Sequence, residues 1–67
     1  MDFKAGDFVE VEHYTAAFIQ GDHYGTVVEA RRKRTGHWMV FVRMNATGRV
    51  RRFSPPSLKQ LNGQDHA

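Results

Sequence analysis

Apolar and polar residues first alternate at Phe8-Val9-Glu10-Val11-Glu12, which puts Val9 and Val11 on one side of an extended chain and both glutamates on the other. This is the pattern of a strand with one wet face, and Gly6-Asp7 before it is a turn signal. Residues 14–22 show no clean period and close on Gln20-Gly21-Asp22, so a long loop is expected there, with Phe18 and Ile19 turned inward as anchors. A second strand is expected over residues 24–32, with Gly25 near its start marking a bulge or a close backbone approach.

Residues 31–36 break the pattern and form a hairpin tip. The most apolar stretch follows, His37-Trp38-Met39-Val40-Phe41-Val42-Arg43-Met44. It is short for a helix and rich in β-branched and aromatic side chains, which makes it the central strand. Asn45-Ala46-Thr47-Gly48 reads as a short turn with Gly48 in the left-handed position, and residues 49–53 return as a fourth strand. Pro55 and Pro56 remove two ladder donors, so a single helical turn is expected before a brief last strand at residues 59–61. The expectation is one domain over residues 1–61 and a flexible tail over 62–67.

That order of elements predicts an all-β fold: a five-stranded small barrel with a short helical turn before the last strand. Three stretches carry a family likeness: Gly6-Asp7-Phe8-Val9-Glu10-Val11, Gly25-Thr26-Val27-Val28, and Val50-Arg51-Arg52-Phe53-Ser54-Pro55 with Leu58 and Leu61 beyond it. Together they resemble the Src-homology-3-like small-barrel superfamily, which includes KOW and Tudor-type modules, integrase C-terminal domains and the plasmid-borne trimethoprim-resistant dihydrofolate reductases. The likeness covers residues 6–61. Those reductases line their shared pore with Val-Gln-Ile-Tyr-Pro. The matching stretch here lacks both the Gln and the Tyr, having arginine and Phe53-Ser54 instead, so the resemblance does not carry reductase activity to this chain.

With 67 residues the domain is lean, since a chain of this size buries only about 60% of its unfolded surface. It has no cysteine, so no disulfide can add stability, which fits a reducing compartment. No apolar run approaches the roughly 20 residues of a membrane span, and none follows Met1 as a signal peptide would. A cytoplasmic protein with no membrane partner is expected.

The net charge of +3 is small, but its distribution is uneven. Residues 1–30 hold one base and six acids, while residues 31–67 hold nine bases and one acid, and all seven arginines lie between Arg31 and Arg52. Such asymmetry points to a polyanion. Arg31, Arg32, Lys33 and Arg34 crowd one hairpin tip, and Arg43, Arg49, Arg51 and Arg52 lie on or beside the next. Guanidinium groups fit phosphate oxygens and stack on bases, and Trp38 and Tyr24 stand close in the simplest register, with Phe41 a further platform if exposed. Nucleic acid, DNA or RNA, is therefore the expected ligand. The competing account is internal pairing of the acidic first strand with basic neighbours in the fold.

The central strand has more apolar surface than one interior needs. Trp38, Val40, Val42 and Met44 share one face, which Val27 and Phe53 join; Met39 and Phe41 share the other, which Val28, Ala30 and Val50 join. Either a bulge exchanges the faces, or Met39, Phe41 and Val50 meet a second copy or a protein partner. Catalysis has little support. The serines flank prolines, His13, His23, His37 and His66 are scattered, and Asp22-His23 lacks the further ligands of a metal site. No catalytic residue, metal or cofactor is expected.

Overall fold

The computed structural model describes residues 3–61. The chain forms β1 (Phe8–Val11), α1 (Ala16–Ile19), β2 (Tyr24–Arg32), β3 (Trp38–Met44), β4 (Val50–Phe53), a 3-10 turn (Pro55–Ser57) and β5 (Leu58–Gln60). The five strands make one antiparallel sheet in the order β4-β3-β2-β1-β5. The second strand has the expected bounds; the first, third and fourth differ by one residue at an end. The last is displaced by one, so that Leu58 opens it and is buried. The expected tail at 62–67 lies outside the described residues.

Among the described residues the ladder does not close into a barrel, and β4 and β5 are its ends. Val9, Val11, Val27, Val40, Val42 and Met44 form the centre of one core, and Phe53 from one edge and Leu58 from the other join it. A flat sheet cannot bring its two edges to a common cluster, so this one coils over its own inner face. Burying each of the central valines contributes about 1.5–3 kcal/mol relative to exposure.

Two backbone details set the faces. Gly25 lies where a Cβ would stand 2.5 Å from Val42 Cγ1 and 2.6 Å from the Arg43 carbonyl oxygen, so it marks a close approach of strands. The bulge comes three residues later. The β2–β3 register shifts between Val27 and Glu29, leaving Val28 as the extra residue. Ala30 consequently pairs with Val40 and packs against the core, not on the outer face where simple alternation put it. Val28 and Val50 do face outward and are exposed.

The long first loop contains a single helical turn. Thr15 caps it, its hydroxyl accepting from the Phe18 N–H at 3.2 Å. The turn buries Ala17 and lays Phe18 half-buried on the core. Ile19, expected as an inward anchor, is 77% exposed, because a helical step of one residue rotates it away from Phe18. Gly48 has φ 76°, as its turn requires.

Candidate nucleic-acid interface

The basic residues reach three different places. At the tip of the β2–β3 hairpin, the Lys33 N–H donates to the His37 carbonyl at 2.7 Å and the Gly36 N–H donates to the Lys33 carbonyl at 2.9 Å. This short loop holds Arg32, Lys33, Arg34 and His37 exposed at the far end of the sheet. Trp38 pairs with Arg32 at the base of the tip, half-buried on the core-facing side of β3.

The second place is the outer face of the sheet. Register places Arg52 of β4, Phe41 of β3 and Glu29 of β2 side by side in one row. The next row is Val50, Arg43, Thr26 and Phe8, and the row towards the tip pairs Met39 with Arg31. The Arg31 guanidinium lies over the Phe41 ring at 5.4 Å from its centroid and is paired with the Glu29 carboxylate. Phe41 is half-buried with Arg31 over its ring, Arg52 paired to it on one side, Glu29 on the other and Arg43 two residues on. Further along the face, Tyr24 stacks on Phe8 with centroids 6.1 Å apart and planes 12° apart.

Arg51 goes elsewhere. As the neighbour of Arg52 on a strand it points to the opposite side, where its Nε donates to Asp22 Oδ2 at 2.6 Å and its terminal nitrogen donates to Gln20 Oε1 at 2.9 Å. Asp22 is 1% exposed, and its other oxygen accepts from the Thr47 hydroxyl at 3.3 Å. Arg51 thus ties α1 and the loop after it to β4. It belongs with the core and not with a ligand surface. Arg49 is exposed beside the same turn, its backbone N–H held by the Thr47 hydroxyl at 3.2 Å.

Internal neutralisation accounts for two of the arginines, Arg51 through Asp22 and Arg31 through Glu29. Among the described residues, Arg32, Lys33, Arg34, Arg43, Arg49 and Arg52 form no ion pair. Comparison with protein-family models, curated proteins and solved structures gives no match.

An exposed guanidinium donates in a fixed planar fork and stays charged at every physiological pH. Arg43 and Arg52 form no ion pair among the described residues, so this face can hold phosphates beside an aromatic ring that already carries Arg31. The apolar residues of the outer face, Phe8, Tyr24, Val28, Met39, Phe41 and Val50, share it with Arg31, Arg43, Arg52 and Glu29. The Asp22-His23 pair is used structurally: Asp22 holds Arg51, and His23 stacks on Phe18 with centroids 3.9 Å apart. Among the described residues no group of three or more His, Cys, Asp or Glu side chains is placed to hold a metal ion. Nor does any described helix have the length and apolarity to cross a membrane.

Sequence reasoning picked out every arginine but not the division among them. The alternation of Arg51 and Arg52 on one strand carried that signal, together with an aspartate at the end of a loop with no other base to meet.

Proposed function

We propose that this chain is a non-catalytic nucleic-acid-binding module, built as a Src-homology-3-like small barrel and working in the cytoplasm. It grips phosphates with the exposed bases of the hairpin tip and of the outer face. The observation that carries this reading is the outer face around Phe41, where Arg43 and Arg52 form no ion pair among the described residues and Arg31 lies over the half-buried ring. Backbone contacts of this kind set affinity without reading bases, so sequence specificity is modest. Tyr24 and Trp38 stand at the margins of the surface as further stacking groups.

Fluorescence anisotropy with labelled single- and double-stranded DNA and RNA between about 50 and 200 mM salt tests it. A steep fall in affinity on a log–log plot supports counterion release by several arginines. Absence of binding at low salt removes the reading.

A second reading, a protein-interaction or assembly module, draws on exposed Val28 and Val50 beside half-buried Met39 and Phe41. It predicts that Phe41→Asp or Met39→Asp abolishes association while the fold survives, with little dependence on salt.

A further inference from the structure

The β4 strand has an unused side. The Met44 N–H donates to the Arg49 carbonyl at 2.8 Å, which fixes the alternation of the β3–β4 ladder. Counting in steps of two along the register, Arg51 and Phe53 direct their backbone groups to β3, whereas Val50 and Arg52 direct theirs away from it. Among the described residues β4 pairs with β3 alone, so the outward backbone groups of Val50 and Arg52 have no ladder partner. A groove of about 450 Å³ runs along this edge, walled on one side by Thr15, Ala16 and Ala17 and on the other by residues 50–53 of β4.

We propose that this groove is a docking slot for an acidic peptide segment in extended conformation, added to the sheet as a sixth strand. Exposed Val50 and Arg52 together offer two donors and two acceptors, enough for one exchange of hydrogen bonds at each residue. Side chains of an added strand would alternate. Those beside Val50 and Arg52 lie on the outer face, and those beside Arg51 and Phe53 lie towards the small alanines of α1. The slot therefore selects a chain with carboxylates on one side and small apolar groups on the other.

Charge decides between occupants. A second copy pairing β4 to β4 would bring two sets of Arg49, Arg51 and Arg52 together with only the two Asp22 carboxylates between them. An acidic strand meets Arg52 with the opposite sign on the outer face, and Arg49 is exposed at the turn that opens the strand. The slot shares the Arg52 side chain with the outer face but adds backbone groups of the sheet edge that nucleic-acid binding by that face does not use.

The test is a titration of the isotope-labelled full chain with an acetylated hexapeptide alternating aspartate and valine, at up to millimolar concentration, read by backbone amide NMR. The expected result is the largest shifts at the Val50 and Arg52 amides, with slowed hydrogen exchange there. N-methylating alternate amides of the peptide, to block its ladder, lowers affinity roughly tenfold. In the protein, Arg52→Pro removes the outward donor without touching the bonds to β3, and it weakens binding more than Arg52→Ala does. The proposal is overturned if the two amides do not respond, if the N-methylated peptide binds equally, or if a lysine–valine hexapeptide binds as well. Shifts of these amides by single-stranded oligonucleotide but not by the hexapeptide would also overturn it, and would give the groove to nucleic acid.

Discussion

Arg51 donates its Nε–H to Asp22 at 2.6 Å across the whole width between β4 and the loop after α1, from a side chain that is 23% exposed to one that is 1% exposed. The pair brings together positions far apart in sequence and holds the first long loop against an edge strand that has no neighbour on its other side.

Arg51→Ala leaves a buried carboxylate without its cation, and loss of one partner from such a pair costs about 3–5 kcal/mol. In urea denaturation the midpoint should drop accordingly, while Arg52→Ala on the same strand stays near wild type. If the two variants unfold together, the division between structural and ligand-facing arginines fails.

Gly25→Ala should destabilise the fold although it adds one methyl group. The new Cβ meets backbone, the Arg43 carbonyl oxygen at 2.6 Å, as well as the Val42 side chain at 2.5 Å, so β2 and β3 must part locally. Overpacking of this kind costs about 1–3 kcal/mol, readable as a lower thermal midpoint. An unchanged midpoint would mean that the strands do not approach so closely.

Replacing Arg31, Arg32 and Arg34 together by alanine should weaken binding about equally for all oligonucleotide sequences. Each lost phosphate contact lowers the slope of log affinity against log salt by about 0.7–0.9, so loss of Arg32 and Arg34, with Arg31 already paired to Glu29, flattens it by about 1.4–1.8. Unaltered slope and affinity would place the phosphates elsewhere.

Phe41→Leu keeps an apolar group in the row between Arg52 and Glu29 but removes the flat ring under Arg31. Single-stranded ligands should lose about 1–3 kcal/mol per base stacked there. Duplex, which keeps its bases to itself, should lose less. Equal losses for the two forms would argue that Phe41 acts only by supporting the sheet.

Period-two alternation made the strands readable because one face of each must be dry: Val9 and Val11, Val40 and Val42 announce their own direction. A bulge was one of two accounts the apolar surplus allowed, but its position was not readable, because Val27 and Val28 are both apolar and only pairing with β3 decides which one turns in. Ile19 misled for a related reason. An apolar residue in a loop looks like an anchor until the local turn becomes helical, and then Ala17 and Phe18 occupy the inward positions. The site was legible as a concentration of arginine but not as a surface. Which guanidinium faces a ligand and which faces Asp22 depends on contacts between residues about thirty positions apart.

The pairing of β1 with β5 has a further consequence. Val9 lies opposite Gln60, and buried Asp7 accepts from the Gln60 side chain at 2.6 Å, so the first strand is completed by the last. On a ribosome, β1 to β4 would emerge with the Val11 side of the core still uncovered, since Leu58 comes after them all. Closing so long a loop costs entropy before any contact repays it. Assembly should therefore be late and all-or-none, with the amides of Glu12 and Leu61, which bond to Ser57 and Phe8 across this seam, the last to gain protection in pulse-labelled refolding.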